Sequence, residues 1–139
     1  MAYFGPDQVL PVPNADDAAY WEHCARHRLA FQRCAACGTF THPPLGVCPQ
    51  CQSRRREWVE APAVATIFTF TWVHTAAHDS ARDRLPYNVA VVTFDGVPGV
   101  RLVTNVVDAA PGMLAIGERV HLVWEQAGEF AFPRFRRAS

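Results

Sequence analysis

The chain has 139 residues, half of them hydrophobic, and its 13 basic residues balance 13 acidic ones. This length suits one ordinary domain or two small ones that share an interface. The balanced charge argues against general nucleic-acid binding, which usually requires a basic excess, and no apolar run approaches the roughly 20 residues that cross a bilayer.

Residues 1–15 predict an extended arm. Three prolines, Pro6, Pro11 and Pro13, exclude a helix there. The apolar residues between them give the arm more hydrophobic surface than a solvated tail requires. Two arrangements stay open at this point: the arm lies over its own domain, or it packs on another subunit.

A short helix is predicted from about Asp16 to Arg28. Asn14 or Asp16 can cap its N-terminus, and basic residues lie at its negative end. Tyr20, Trp21, Cys24 and Ala25 recur at helical spacing and form one apolar face. Cys24 is interpreted as a small buried residue rather than a nucleophile, because the neighbouring histidines have no obvious orienting group.

Two Cys-x-x-Cys pairs follow, Cys34 with Cys37 and Cys48 with Cys51. A two-residue gap lets one tight turn point both sulfurs at a single centre, and two such turns predict a closed tetrahedral site for structural Zn²⁺. Two disulfides are the alternative. We prefer the tetrathiolate because the N-terminus lacks the basic start and apolar run of a secretory signal. Free thiols with a metal also indicate the reducing cytoplasm.

The second cysteine pair lacks a glycine that the first pair has. Gly38 follows the first pair, where a left-handed backbone position is often needed, but Gln52 stands in that place after the second. The sequence therefore predicts a slightly distorted second turn or partial metal occupancy.

Three short strands are predicted around the metal turns: one leading from Leu29 into Cys34, one at 39–42 and one at 57–59. Together they make a zinc ribbon of the rubredoxin-like type. Such a ribbon buries too little core to fold without its metal.

Beyond Pro62 the hydrophobic period changes to two, which is typical of strands. Five strands are predicted, at 65–74, 87–94, 100–107, 119–125 and 130–132, the last ending at Pro133; a loop at 75–86 joins the first two. The first strand is long enough to bend around a core, so the pattern predicts a five-stranded OB-fold barrel. The expected fold is mainly β, divided into an arm (1–15), a helix with the ribbon (16–61) and the barrel with its tail (62–139).

This order of elements resembles a known family, the acyl-CoA-associated zinc-ribbon/OB-fold proteins called domain of unknown function thirty-five. The resemblance covers nearly everything after residue 16, and Gln52 departs from the usual glycine. The matching stretches are Tyr20-Trp21-Glu22, Leu29 to Cys37, Pro43-Pro44, Cys48-Pro49-Gln50-Cys51, Glu57-Trp58-Val59, Phe68 to His74, Leu85-Pro86-Tyr87, Leu102-Val103-Thr104-Asn105 and Phe132-Pro133-Arg134-Phe135.

The resemblance implies an accessory role in lipid or steroid metabolism. Members of the family are usually partners of a thiolase-superfamily enzyme: a thiolase, a ketoacyl synthase-like enzyme or a retro-aldolase that acts on acyl-CoA thioesters. The larger chain is expected to hold the catalytic groups. The small chain is expected to stabilise it in a hetero-oligomer and to shape the path of the CoA thioester that the two share. The charge balance and the short apolar runs, noted above, lead us to expect neither a nucleic acid nor a membrane as partner.

The residues themselves agree with a chain that is not an enzyme alone. There is no Gly-rich phosphate loop, no Ser-His-Asp arrangement and no His-Glu-x-x-His motif. The best catalytic candidates are His74, His78 and Asp79, with His74 and His78 conceivable as a second metal site. Because no nucleophile–base–orienter set accompanies them, we interpret them as loop or interface groups and name no catalytic residue.

Aromatic residues are abundant and charged ones are few, at 19%. That composition favours a docking surface. Phe68 and Phe70 are expected in the core. The candidate partner-interface residues are Trp21, His74, Phe132 and Phe135.

Two local basic clusters, Arg54-Arg55-Arg56 and the tail with Arg134, Arg136 and Arg137, suit phosphate. Arg134 and Arg136 are candidate contacts to CoA, with solvated charge as the alternative. The alternative function is a single-stranded nucleic-acid-binding ribbon/OB module that stacks bases on Phe70, Trp72 and Tyr87. The neutral charge balance disfavours it.

Overall fold

A computed structural model describes residues 2–5 and 7–138 of the protein. Its elements are α1 (Ala18–Ala25), β1 (Ala30–Cys34), β2 (Phe40–Thr41), β3 (Arg56–Glu60), β4 (Val64–Val73), β5 (Tyr87–Thr93), β6 (Leu102–Thr104), β7 (Arg119–Ala127) and β8 (Phe130–Arg137), with a 3₁₀ helix at Asp79–Arg84. Within those two ranges, none of the helices has the length and apolar character that a bilayer crossing requires.

The helix is shorter than predicted at both ends. Asn14 Oδ1 accepts hydrogen bonds from the backbone N–H groups of Asp16 (2.8 Å) and Asp17 (3.1 Å), and this side-chain turn occupies the residues expected to begin the helix. At the other end His27 has φ 58°, a left-handed conformation that stops the helical turn. The predicted start at Asp16 is therefore two residues too early, and the predicted end at Arg28 is three residues too late.

The ribbon is a three-stranded antiparallel sheet in the order β2–β1–β3. The central strand β1 places Gln32 opposite both Thr41 and Trp58. Because β1 has neighbours on both edges and packs on α1, its side chains from Ala30 to Gln32 are all buried. The predicted ribbon is confirmed.

The second sheet has the order β6–β5–β4–β7–β8 and nearly closes into a barrel. Closure comes from a parallel bridge between Val106 and Phe135, where the Val107 N–H donates to the Phe135 carbonyl at 2.7 Å. The predicted architecture, mainly β with an N-terminal helix, a rubredoxin-like ribbon and a five-stranded OB-fold barrel, is confirmed. The segment predicted as a loop at 75–86 contains the 3₁₀ helix.

The last strand runs through Pro133 and does not end there. Pro133 pairs with Trp124, and β8 continues to Arg137. Phe135, two residues on, turns its N–H and carbonyl away from β7 toward the segment that follows β6. The missing N–H of Pro133 therefore faces that open side, and the β7–β8 ladder loses no hydrogen bond.

Phe68 lies outside the core, contrary to the sequence prediction. The β4–β5 register shifts between Ile67 and Thr69, so Phe68 occupies a β-bulge and its side chain is 44% exposed. The Arg101 guanidinium stacks over its ring at 4.1 Å. The bulge interrupts the alternation that the sequence pattern assumes.

One hydrophobic core joins the helix, the ribbon and the barrel. Phe31 of the ribbon lies 5.3 Å from Phe94 of the barrel, between ring centroids, and Phe94 lies 6.1 Å from Phe135. Tyr20 and Cys24 of α1 belong to the same cluster. Cys24 is fully buried, and burial raises the pKa of its thiol to about 12, which confirms its interpretation as a buried residue.

Candidate metal site and docking surface

The four paired cysteines converge. Their Sγ atoms all lie within 4.8 Å of one another, with Cys34 and Cys51 at 3.6 Å and Cys37 and Cys48 at 3.7 Å. A tetrahedral Zn²⁺ with Zn–S bonds of about 2.3 Å places its sulfurs about 3.8 Å apart, so this spacing fits the ion. Among the described residues, these cysteines form the one group of three or more potential metal ligands. His74 and His78 belong to no second group of this kind.

The backbone around the sulfurs favours thiolates. The N–H groups of Ala36 and Cys37 donate to Cys34 Sγ at 3.4 Å, and hydrogen bonding from Cys37 and then Ala36 lowers the pKa of Cys34 to about 6. Although a backbone N–H from Ser53 favours the Cys51 thiolate, the sulfurs of Cys34 and Cys37 raise the pKa of Cys51 to about 12. Four thiolates this close require a cation, and the residues present fit Zn²⁺.

The second metal turn keeps the closing backbone hydrogen bond of the first. The Gly38 N–H donates to the Cys34 carbonyl and the Gln52 N–H to the Cys48 carbonyl, both at 2.9 Å. Gln52 adopts φ 65°, close to the 81° of Gly38. Glutamine accepts the left-handed conformation at a cost of about 1–2 kcal/mol, so the second turn closes without a glycine. A slight difference lies in the bonds to sulfur: among the described residues Cys48 Sγ accepts from the Gln50 N–H at 3.4 Å, whereas Cys34 Sγ accepts from both Ala36 and Cys37. Partial metal occupancy stays a prediction.

A buried carboxylate that the sequence reading missed organises the arm. Glu125 is 1% exposed and accepts hydrogen bonds from the Tyr3 backbone N–H (2.9 Å), the Gln8 side chain (2.8 Å) and Arg134 Nε (3.2 Å). Burial acts to raise the pKa of Glu125, but the hydrogen bonds from Gln8 and Tyr3 and the charge of Arg134 outweigh it and lower the pKa. A charged residue within the apolar alternation of 119–125 was the signal that could have identified it.

An asparagine fixes the start of the arm to the barrel. Asn88 donates from its backbone and side-chain nitrogens to the Tyr3 hydroxyl, both at 3.1 Å, and its side chain also donates to the Val106 carbonyl at 2.8 Å. Tyr3 is 4% exposed. The start of the arm thus lies over its own domain, which is one of the two arrangements that the sequence left open.

Arg134, a candidate CoA contact, is mostly engaged within the protein. Its side chain is 12% exposed, and besides Glu125 it donates to Asn105 Oδ1 at 2.7 Å. Its guanidinium also lies over the rings of Phe132 (5.1 Å) and Phe4 (5.7 Å). The side chain of Arg136, two residues on, is exposed.

The four candidate interface residues differ in how far they are exposed to solvent. Phe135 is fully buried in the shared core, so it is not available to a partner, and its place in the prediction is corrected. Phe132 is 9% exposed and meets Trp21 edge-on at 5.7 Å; both border a cavity of about 360 Å³ between helix, ribbon and barrel. His74 is exposed, one residue beyond β4.

His78, a catalytic candidate, has a structural contact. Its Nδ1 accepts a hydrogen bond from the Ser80 N–H at 3.1 Å and lies 2.8 Å from the Ser80 hydroxyl. The His78 side chain thereby caps the 3₁₀ helix. Asp79 pairs with Arg82 at 2.7 Å on the surface of that helix. These contacts agree with the interpretation of both residues as loop hydrogen-bonding groups.

A rubredoxin-like tetrathiolate ribbon followed by an OB barrel defines the class of zinc-ribbon/OB-fold proteins. Comparison with family models identifies the family within this class. Residues 21–57 match the rubredoxin-like zinc ribbon domain of ChsH2, and residues 58–125 match its C-terminal OB-fold domain. The chain belongs to this ChsH2-type zinc-ribbon/OB-fold family, known as DUF35. The resemblance read from the sequence is confirmed.

Two curated relatives are similar in sequence. A probable enoyl-CoA hydratase alpha subunit from Thermomonospora curvata is 40% identical over 136 residues, which is 96% of this chain. The chain spans about two-fifths of that relative (41% of its length). A DUF35 domain-containing scaffold protein from Methanothermobacter thermautotrophicus is 28% identical over 111 residues, covering 78% of this chain and 81% of the relative.

Two solved structures have the same fold. A chain described as Ltp2-ChsH2(DUF35) aldolase is 39% identical with a TM-score of 0.84, and the match covers 94% of this chain and all of that one. A DUF35 protein of unknown function from Sulfolobus solfataricus has a TM-score of 0.62 at 16% identity, with 86% of this chain and 83% of that one covered. The second similarity concerns the fold alone.

Proposed function

We propose that this chain is a non-catalytic accessory subunit that binds and stabilises a thiolase-superfamily acyl-CoA enzyme. The observation that carries the proposal is the match over the full length of a chain from the Ltp2-ChsH2(DUF35) aldolase, whose name joins a second protein to ChsH2. The relative named as a scaffold protein supports the same role. The hydratase name of the Thermomonospora relative is not transferred, because more than half of that protein lies outside the match.

The contacts of the polar residues support an accessory role. Glu125 and Arg134 hold the arm on the barrel, and His78 caps a 3₁₀ helix. Cys34, Cys37, Cys48 and Cys51 would hold Zn²⁺, which when bound supplies a structural cross-link with no open coordination position. Four thiolate ligands and a fifth cysteine buried in the core also favour a reducing compartment, and our proposal places the chain in the cytoplasm.

The partner would hold the acyl-CoA, and this chain would help to shape its path. Trp21, Phe132 and His74 remain the proposed partner-facing residues. Arg136 is the better candidate for a CoA phosphate, because its side chain is exposed at the end of β8 whereas Arg134 is committed to Glu125 and Asn105.

Co-expression with the thiolase-superfamily protein from the same source tests the proposal. We expect the two chains to co-purify, a native mass that corresponds to a hetero-oligomer, and a partner that is poorly soluble or poorly active alone. Thioester turnover by the purified small chain without a companion would contradict the accessory role, and failure to form any complex would contradict the partnership.

If Arg136 contacts CoA, Arg136→Ala should weaken CoA binding by the complex by roughly ten- to a hundredfold, since a charge-assisted hydrogen bond contributes about 1.5–3 kcal/mol. The effect is measured by calorimetric titration with CoA and with dephospho-CoA. Equal affinity of the variant and the unmodified complex would remove Arg136 from the site.

A further inference from the structure

The arm contains an exposed apolar segment between two anchored ends. Upstream, the Gly5 N–H donates to the Ser80 carbonyl at 2.8 Å, and the Gln8 side chain donates to Glu125. Downstream, the turn at Asn14 leads into α1. Between these anchors lie residues 9–13, in which Val9 is 72% exposed, Leu10 41% and Val12 92%.

The segment is restricted in conformation. Pro11 and Pro13 fix their φ angles near about −65°, and each restricts the preceding residue to extended conformations. Anchoring at both ends restricts it further. A segment held in this way loses little conformational entropy on binding, which is the property that proline-rich recognition sequences exploit.

Along the chain, the charges nearest the segment have one sign. Within the first 20 residues the charged side chains are Asp7, Asp16 and Asp17, and there is no Lys, Arg or His. Residues 9–13 are all uncharged. In space, the nearby guanidinium groups are already bound within the protein: Arg56 donates to the carbonyls of Ala15 and Asp16, and Arg134, in the cavity that Val9 borders, pairs with Glu125. An apolar stretch whose neighbours along the chain are carboxylates complements an apolar groove with a basic rim.

The segment continues into the surface already assigned to a partner. Val9 borders a cavity of about 300 Å³ that is also lined by Phe4, Tyr87 and Phe132. Phe132 in turn borders the cavity that contains Trp21. The exposed segment is therefore continuous, through Phe132, with Trp21, and these are two of the three proposed partner-facing residues.

We propose that residues 9–13 insert into an apolar, basic-rimmed groove of the partner subunit. The inference rests on the proposed function and extends it, since it names the docking element of this chain and the chemistry of the surface that receives it. Both arrangements considered for the arm then apply to different parts of it: Tyr3, Gly5 and Gln8 bind their own domain, and residues 9–13 bind the partner.

The double variant Val9→Ser/Val12→Ser tests the inference in the full-length, zinc-loaded chain. Ile116→Ser is the matched control, because Ile116 is also an aliphatic residue and is 70% exposed, in the segment between β6 and β7. Since two buried valines are worth several kcal/mol, we expect the double variant to bind the co-purified thiolase-superfamily subunit about ten to a hundredfold more weakly. Ile116→Ser should bind within about twofold of the unmodified chain.

Zinc content and thermal melting of each variant check that folding is intact; the substituted side chains are exposed, so both should stay unchanged. Raised salt should slow association of the unmodified chain if the carboxylates face a basic rim. Unchanged affinity of the double variant in a complex that the unmodified chain still forms would overturn the inference alone. Absence of any complex with the unmodified chain would overturn the proposed function itself.

Two further outcomes also decide the question. Equal weakening by Ile116→Ser would contradict a specific role of the arm. Dimerisation of the chain alone that the double variant abolishes, measured by sedimentation across concentrations, would show that the groove belongs to a second copy and would overturn the assignment to the partner.

Discussion

Glu125 and Arg134 lie on neighbouring strands in a region where most side chains are apolar. Their exposed fractions are 1% and 12%, and the ion pair is supported by Tyr3, Gln8 and Asn105. A buried pair contributes little relative to a well-packed apolar pair, but the loss of one partner leaves a charge without compensation. These residues therefore make the attachment of the arm sensitive to single substitutions.

Arg134→Met should lower the free energy of unfolding by about 3 kcal/mol, because it leaves the Glu125 carboxylate buried with fewer partners. Urea unfolding at pH 7 measures the change. Arg136→Met is the control: its side chain is exposed at the same strand, so we expect a change of less than about 0.5 kcal/mol. Similar losses in both variants would argue against a special role for the buried pair.

His42 should make stability depend on pH. It packs between the rings of Tyr20 (5.1 Å) and Phe31 (5.0 Å), and burial lowers its pKa to about 4. In the unfolded chain histidine has a pKa of about 6.5, so between pH 6.5 and 4 the unfolded state binds the proton more readily. The contribution is fully present above pH 6.5 and is lost as the pH falls, by up to about 3 kcal/mol at pH 4.

The variant His42→Leu isolates this effect, because the acid sensitivity of the metal thiolates and of Glu125 remains in both proteins. Denaturant unfolding at pH 7 and at pH 4.5 should show a smaller loss of stability in the variant. Parallel pH profiles for the two proteins would contradict the assignment to His42.

At the scale of elements, the two metal turns determine whether the ribbon folds. β2 has two residues, and β1 and β3 have five each. A sheet of this size buries too little apolar surface to be stable alone, so the free energy of metal binding also serves as free energy of folding.

Cys48→Ser should lose about one Zn²⁺ per chain and unfold the ribbon, since structural zinc sites require all four ligands. Metal analysis and circular dichroism measure the two effects. Cys24→Ala is the control, because Cys24 is buried in the core and is not part of the thiolate cluster; it should keep its zinc with a loss of about 1 kcal/mol. A folded, metal-free Cys48→Ser protein would contradict the structural role of the ion.

At the scale of the whole molecule, the ribbon and the barrel share one core through Phe31, Phe94 and Phe135. Contacts of this kind couple the stabilities of the two parts. Loss of the metal should therefore lower the stability of the barrel as well as that of the ribbon.

We expect the zinc-loaded chain to unfold in one calorimetric transition. Removal of the zinc by a chelator should lower the melting temperature of the whole chain. Phe31→Ala removes the ring that joins the two parts, costs about 3–5 kcal/mol and should separate ribbon unfolding from barrel unfolding. Two independent transitions in the unmodified, zinc-loaded chain would contradict the shared core.

The spacing of Cys34, Cys37, Cys48 and Cys51 and the alternation after Pro62 were enough to predict the metal site and the order of strands. Both signals are local, because a two-residue gap dictates the turn and a period of two dictates a strand. Strand ends were less predictable: β8 continues through Pro133 because of which side its missing N–H faces, and Phe68 is exposed because of a bulge.

The sequence by itself determined the class of fold, the candidate ligand set and the family resemblance, since each depends on residue types at short spacing. Only the tertiary structure decided that Glu125 binds the arm, that Arg134 is committed to the interior and that Phe135 lies in the core. These contacts join residues that lie between 9 and 122 positions apart in the chain. Their energies depend on burial and on partners that a local pattern does not specify.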